Sequence, residues 1–449
     1  MKTTKAFSRR HFLKAASTLA VTAPFILPSR VWGADVAPSD RLTIGFVGVG
    51  KQGQDLLGNF LRQKAKVLAI CDVDTTRREI AQKKVNKFYD NTDCKTYNDF
   101  RELIARKDIN AVCIATPDHW HAIVMLAALR AGKDVYCEKP LTHNIHEAVE
   151  VLKAVPAHKR ILQTGSMQRS MKEFRVACEL VRNGVIGKVQ TVECSFGDPG
   201  RPCDLPEETM EPGLDWDRWC GPAPFRGYSP VLSPRGMPQG FPAWRDYKEY
   251  GSGAVGDWGA HHLDIAQWGL GMDDSGPVEV IPPEDPKAKR GCKLVYANGV
   301  TVEHKDGYGV VFHGTEGEVR VNRGKFALIV NGKTIAEFND DKKKKGEAPP
   351  DTTCAVEVRK AENLYLTNAP IKLYVSNQHI TDFLTCVQSR KKPITSEQVG
   401  ARSAICCHLI NQSYYHHAHL KWNPAKFKFT DGTGDKKWLT REYRKPWTV

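Results

Sequence analysis

At 449 residues the chain exceeds one ordinary hydrophobic core, so two domains are expected. Hydrophobic residues make up 41% and charged residues 26%, the balance of a globular protein, and no apolar run beyond the first 33 residues would span a bilayer, so no membrane span is expected. The formal charge of +14 shrinks to 59 basic against 51 acidic side chains once the six Lys and Arg of residues 1–33 are set aside. With no compact basic helix or aromatic-basic module, nucleic acid is not an expected partner.

The first segment, residues 1–33, carries Ser8-Arg9-Arg10-His11-Phe12-Leu13-Lys14, then an apolar run to Ile26 with Pro24 and Pro28 near its end. Paired arginines before such a run resemble a twin-arginine export signal, which implies a periplasmic protein carried across the membrane already folded.

From Leu42 to Val47 an apolar, β-rich run leads into Gly48-Val49-Gly50-Lys51-Gln52-Gly53, the G-x-G-x-x-G spacing, and a helix beginning by Gln54. The first glycine permits the tight turn, the second lets backbone approach a pyrophosphate, and the third lets helix and strand pack closely. The next strand, Lys66 to Ile70, ends at Cys71-Asp72, 19 residues beyond Gly53, where an acid meets the adenosine ribose hydroxyls. NAD is therefore the expected cofactor, because Asp72 would repel the extra phosphate of NADP. Arg77 and Arg78 keep NADP open, since arginine can receive that phosphate.

Ala111 to Ala115, a helix from Trp120 to Ala131, and a strand from Asp134 to Cys137 follow. The strand ends on Glu138-Lys139-Pro140 and so presents a lysine at the carboxyl edge of an open sheet, where ligands bind. A helix over Ile145 to Val155 and a strand over Ile161 to Thr164 complete a dinucleotide-binding domain of residues 41–165.

The helix from Met171 to Asn183 opens a second pattern. Strand-like runs at 188–196, 278–280, 293–296, 309–313, 318–322 and 326–330, without helices between most of them, predict an antiparallel open sheet over residues 166–422. The fold class is thus α/β plus α+β. Between the first two runs, Pro199 to Tyr250 is rich in Pro, Gly, Trp and Tyr, and its rings beside Arg and Asp suit either carbohydrate binding or packing of the segment onto the sheet.

Asp257 and His261 stand four apart, so one helix face lets the carboxylate orient an imidazole base. With His262 and Asp264 nearby, metal binding stays open from the residues alone. His416, His417 and His419 are read as a helix face continuing into Leu420-Lys421-Trp422, and Asn423 to Val449 as an extended arm. The Lys342 to Lys345 run reads as a loop tip. Of thirteen cysteines, several sit in buried strands, none has zinc-finger spacing, and Cys203 and Cys220 flank one loop and are candidates for pairing.

The glycine loop, Glu138-Lys139-Pro140 and Asp257-x-x-x-His261, in that order, resemble the glucose–fructose oxidoreductase, inositol dehydrogenase and rhizopine-catabolism (Gfo/Idh/MocA) family over roughly residues 41–422. The resemblance implies an NAD(P)-dependent dehydrogenase acting on a secondary hydroxyl of a sugar, sugar derivative or cyclitol, without a metal. Carried over by position, Lys139, Asp257 and His261 are the catalytic trio. Gly48, Gly50, Gly53 and Asp72 contact the cofactor, with Thr116, Pro117, His121, Glu138 and Lys139 as further expected contacts. Arg169, Trp244, Arg245, Tyr247 and His262 are the expected substrate contacts. A related glycosidase branch uses bound NAD to cleave glycosidic bonds and lacks the lysine, so Lys139 argues for a plain dehydrogenase. A non-catalytic sugar-binding protein is the third reading. Export before any supply of free nucleotide implies tightly bound NAD, and a homo-oligomer, dimer or tetramer, is expected.

Overall fold

Thr43–Val47 (β1) is fully enclosed from Ile44 onward, because both faces of a parallel sheet are covered by helices. The computed structural model describes residues 41–210, 212–339 and 352–449. The export segment and the Lys342 to Lys345 run lie outside these residues. Five further strands join β1 in parallel: Lys66–Cys71 (β2), Lys95–Tyr97 (β3), Ala111–Ile114 (β4), Asp134–Cys137 (β5) and Leu162–Thr164 (β6). Their order, β3-β2-β1-β4-β5-β6, reverses direction at β1, and the crevice between the ends of β1 and β4 is the dinucleotide site of such sheets.

The second sheet has ten strands. They are Val189–Ser195 (β7), Glu279–Ile281 (β8), Lys293–Val295 (β9), Thr301–Lys305 (β10), Val310–Gly314 (β11), Gly317–Asn322 (β12), Lys325–Val330 (β13), Lys333–Phe338 (β14), Leu420–Asn423 (β15) and Lys428–Thr430 (β16). The order is β14-β13-β12-β11-β7-β10-β9-β8-β15-β16. All described pairings run antiparallel except β7 with β10, which are parallel.

Two expectations are corrected here. The chain after His416 is not helical: His417 takes a left-handed conformation (φ 45°) that caps the helix Glu397–His416, and Leu420 to Asn423 pairs as β15. His416 stacks on Trp438 at 3.9 Å and His419 pairs with Glu279, so the three histidines share no face. Cys203 and Cys220 are not paired: both are free thiols. The C-terminal part packs on both sheets. Helix His379–Ser389 places Phe383 against Phe60 and Tyr136 of the nucleotide-binding sheet, at 6.1 and 5.8 Å in edge-to-face contacts, each worth about 0.5–1.5 kcal/mol. Helix Glu397–His416 packs on both the helix Ile145–His158 and the helix Gly259–Leu270. Among the described residues no helix is long and apolar enough to cross a membrane.

The expected arm over 423–449 is docked rather than extended. Trp447 meets Trp120 at 4.7 Å and Phe100 at 6.1 Å. The fully buried Glu147 carboxylate accepts hydrogen bonds from the His143 N–H (2.8 Å), Arg441 (3.0 Å) and the Tyr443 hydroxyl (2.9 Å). Removing the cation of a buried ion pair leaves an uncompensated charge, which costs about 3–5 kcal/mol. Arg441→Met should therefore lower the unfolding free energy from urea titration by an amount in that range, seen as a lower midpoint with little change in slope. An unfolding free energy within about 0.5 kcal/mol of the unmodified chain, roughly the effect of an ordinary surface substitution, would show that the tail is not anchored this way.

Candidate active site

Two connected hollows lie at the carboxyl edge of the parallel sheet. One, of about 910 Å³, runs along the glycine loop and is lined by Gly48, Gly50, Asp72, Thr116, Pro117 and Trp447, among others. The second, of about 730 Å³, is lined by His121, Glu138, Lys139, Asp257, His261 and Arg323, among others. Gln52, Ala115, Thr116, Trp244 and Arg245 belong to both walls, so the hollows form one cleft with a long arm and a polar end.

The glycines show what the long arm fits. Gly48 has φ +84°, and a Cβ there would sit 2.6 Å from the Thr116 backbone nitrogen. A Cβ on Gly53, inside the helix Lys51–Arg62, would sit 2.3 Å from the Gly48 carbonyl oxygen. Both glycines are thus required by the chain's own packing. A Cβ on Gly50 would meet nothing within 4 Å, so the protein itself does not explain that glycine. An approaching phosphate does, because Gly50 precedes the first turn of the helix, where backbone N–H groups are free to bind an anion. Thr116 adds a buried hydroxyl without a partner on the same cleft. The donor set fits a dinucleotide.

Asp72 is fixed at the end of β2 by N–H donors from Val49 (2.7 Å) and Asp74 (2.9 Å). Both candidate phosphate-binding arginines are occupied elsewhere. Arg77 donates to the Pro234 and Gly236 carbonyls at 2.6 and 3.0 Å, and Arg78 to Asn98 and Thr75 at 2.8 and 3.0 Å. The His121 ring nitrogens face the Pro140 carbonyl (2.8 Å) and the Thr116 carbonyl (3.0 Å), tying together two strand exits, and burial pushes its pKa down to about 4. Glu138 accepts from Gln52 at 2.9 Å, and burial raises its pKa.

At the polar end, Lys139 leaves β5 and its Nζ donates to both the carboxylate and the backbone carbonyl of Asp257, the latter at 3.1 Å. Asp257 closes the short helix Gly253–Asp257, and His261 stands in the first turn of the next, after an interruption at Trp258. The expected Asp257–His261 hydrogen bond is absent: the charged Lys139 donor takes the carboxylate, and His261 Nδ1 is buried with no partner. Burial, then the Lys139 and Arg323 charges, hold the His261 pKa well below 6.5, so the ring is neutral. The Lys139 and Arg245 charges outweigh burial at Asp257 and keep its pKa low.

The expected substrate contacts divide. Trp244 and Arg245 line the cleft. Arg169, Tyr247 and His262 do not. Arg169 is 2% exposed and gripped by Asp264 (2.8 and 2.9 Å) and Asp273 (2.7 and 2.9 Å). Tyr247 lies in an aromatic cluster with Trp216, Trp219, Tyr228 and Tyr250, and His262 is buried against the Ser195 carbonyl. The Pro199 to Tyr250 segment therefore does both things its composition allowed: most of its rings pack, and Phe241, Trp244 and Arg245 reach the cleft. Among the described residues no three His, Cys, Asp or Glu side chains are grouped as a metal site. Arg323, at the turn between β12 and β13, and Trp447 carried no signal in the sequence, since neither stands in a spaced motif.

A profile for the NAD-binding Rossmann fold of an oxidoreductase family matches residues 42–166, and one for the C-terminal alpha/beta domain of that family matches residues 183–356. The chain belongs to the Gfo/Idh/MocA oxidoreductase family. Inositol 2-dehydrogenase of Salmonella typhimurium is 35% identical over 150 residues, 33% of this chain and 43% of that protein. Glycosyl hydrolase family 109 protein 2 of Shewanella sp. (strain ANA-3) is 28% identical over 211 residues, 42% of this chain and 46% of that protein. The chain thus spans under half the length of these curated relatives. In fold, it is similar to levoglucosan dehydrogenase in complex with NADH and levoglucosan, with a TM-score of 0.55, 21% identity, and coverage of 85% of this chain and 99% of that one.

The different surroundings of the glycines can be tested. Gly53→Ala should destabilise the nucleotide-free protein by about 1–3 kcal/mol through overpacking. Gly50→Ala should leave that stability within about 0.5 kcal/mol and weaken NAD binding about tenfold or more. Melting curves without nucleotide and calorimetry with it separate the two. Equal NAD affinity in Gly50→Ala would remove the phosphate from this loop.

Proposed function

We propose that this Gfo/Idh/MocA member is an NAD-linked oxidoreductase that transfers a hydride between the nicotinamide and a secondary hydroxyl of a sugar, sugar derivative or cyclitol. The carrying observation is the meeting of the Lys139–Asp257 pair and the neutral His261 where the dinucleotide cleft opens into a polar pocket. When bound, the nicotinamide supplies the hydride acceptor or donor. His261, uncharged and with a free ring nitrogen, takes the hydroxyl proton. Lys139 hydrogen-bonds the reacting oxygen, and Asp257 fixes the lysine rather than the histidine. The names of the inositol 2-dehydrogenase and levoglucosan dehydrogenase relatives support a polyol or sugar substrate. The likeness to glycosyl hydrolase family 109 protein 2 favours a second reading, glycoside cleavage through transient oxidation. Lys139 supports the first.

NAD is the proposed cofactor over NADP, on Asp72 and on the prior engagement of Arg77 and Arg78. The paired arginines Arg9 and Arg10 support export to the periplasm. Export requires a cofactor loaded beforehand and retained, and the tryptophans Trp219, Trp244 and Trp447 lining the cleft support retention.

Lys139→Ala and His261→Ala should each lose about 10²–10⁴-fold in kcat/KM against a panel of sugars and cyclitols, read by nicotinamide absorbance, while still binding NAD. Because the His261 pKa is lowered, the base stays deprotonated as the pH falls through neutrality, and the acid limb of kcat/KM should lie below pH 6.5. Full turnover in either variant, or an acid limb above that value, would remove His261 or Lys139 from these roles.

Retention is tested on protein purified without added nucleotide. Denaturation should release close to one equivalent of NAD or NADH per chain, with no NADP. An empty protein needing free nucleotide at every turnover would refute retention.

A further inference from the structure

The charged side chains around the polar pocket are three cations, Lys139, Arg245 and Arg323, and three acids, Asp118, Glu138 and Asp257, but they are not evenly paired. Lys139 is bonded to Asp257. Arg245 stands 3.8 Å from the same carboxylate and stacks on Trp244 and Phe241, at 4.2 and 4.9 Å. Glu138 instead accepts from Gln52 (2.9 Å) and from the Lys139 backbone N–H (3.3 Å).

Arg323 is the unmatched one. No described carboxylate lies within salt-bridge distance of it, and no described acceptor meets either of its Nη groups. It is nonetheless held in place. Its Cζ lies 4.7 Å from the centre of the Trp258 ring. Gln168, oriented so that both ends of its amide are bonded, accepts from Arg323 Nε at 3.3 Å and donates to the His261 carbonyl at 3.1 Å. A guanidinium partly removed from water without a counter-ion is unfavourable, and burial lowers its pKa. A ligand that supplies the missing anion relieves that cost.

Resting on the reading of this pocket as a sugar or cyclitol site, we infer that the substrate bears a carboxylate, gripped by the free Nη edge of Arg323 beside Lys139 and His261. The planar fork of arginine matches a carboxylate in two parallel hydrogen bonds. Arg323 is then a specificity-determining residue set on the second sheet, while the reacting groups are set by the first sheet and the helix after Trp258.

The test is calorimetry on the NAD-loaded protein with D-glucuronate, D-galacturonate and D-gluconate, each against its neutral counterpart D-glucose, D-galactose or D-glucitol, and with D-glucose 6-phosphate. At least one carboxylate should bind about tenfold or more tightly than its neutral counterpart. Arg323→Gln should erase that preference and Arg323→Lys keep part of it, with unchanged melting temperature and NAD content in both. Acids binding no more tightly than neutral sugars, tightest binding of the phosphate, or an acid preference surviving in Arg323→Gln would each overturn the inference. Turnover is followed in parallel. Neutral sugars oxidised without preference for acids would overturn the carboxylate and leave the oxidoreductase standing. Acid binding that depends on Arg323 with no turnover of any sugar would do the reverse.

Discussion

The Lys139–Asp257 ion pair is the joint between the two halves of this protein. Lys139 issues from the carboxyl edge of the parallel sheet, and Asp257 from the helical segment that leads into the second domain. A half-buried pair costs desolvation on both sides, and replacing it with apolar side chains would be close to neutral for stability. It is not explained as a fastener. Its consequence is positional: a charge-assisted bond fixes the ammonium within a pocket that His261 also lines, and leaves that imidazole without its expected carboxylate. A neutral His261 follows from burial together with the two cations nearby. Had the carboxylate gone to the histidine, it would have raised the imidazole pKa instead.

That joint holds because the chain crosses between the two sheets more than once. The helix Glu397–His416 packs on helices of both halves, Phe383 enters the core beneath β1, and the tail returns to Glu147 and Trp120. A cleft between two bodies joined by one linker would open by hinge motion, since interfaces within a chain are usually small and polar. Here several stretches distant in sequence share the walls, so the relative placement of Lys139 and His261 is set by core packing.

Most of the first domain was legible in the sequence because its signals are local. A strand, a glycine loop and a helix follow one another within about 20 residues, each glycine answers one steric demand, and an acid follows at a fixed distance. The second sheet was legible only in part. β10 and β14 alternate with too many charged residues, as in Thr301-Val302-Glu303-His304-Lys305, to stand out as apolar runs. β15 follows a long helix so closely that Leu420-Lys421-Trp422 read as its continuation; only the left-handed turn at His417 separates them, and a histidine gives no hint of that. Within the site, motif residues came together as spacing suggested, but their pairing did not. Helical spacing brought Asp257 near His261 and could not reveal that Lys139, 118 residues earlier, competes for the same carboxylate. Arg169 and Tyr247 were misplaced for a related reason: Arg and Tyr suit sugars and buried networks equally, and only the positions of Asp264, Asp273 and Trp219 decide between them.

The walls of the long arm bear on how a nucleotide would leave. The glycine loop and Thr116 form its floor, while Leu232, Pro238 and Trp244 of the aromatic segment and Trp447 of the tail form other walls. The aromatic segment is pinned to the floor at several points: Thr75 and Asp215 exchange backbone bonds with Gly213 and Val73 at 2.9 and 3.0 Å, and Trp120 donates to the Trp219 carbonyl at 3.2 Å. The tail is pinned through Arg441 and Tyr443 to Glu147, and through Arg444 to the aromatic segment itself, at the Gly221 carbonyl (2.8 Å) and the Asp217 carboxylate (2.6 Å). The two walls are thus tied to each other as well as to the floor. A ligand that binds only the native state stabilises both anchors by mass action, which makes opening of the walls rarer once the site is filled. Retention would then arise from the order of assembly, with the cofactor seated before the walls close, and not from unusual affinity at any one contact.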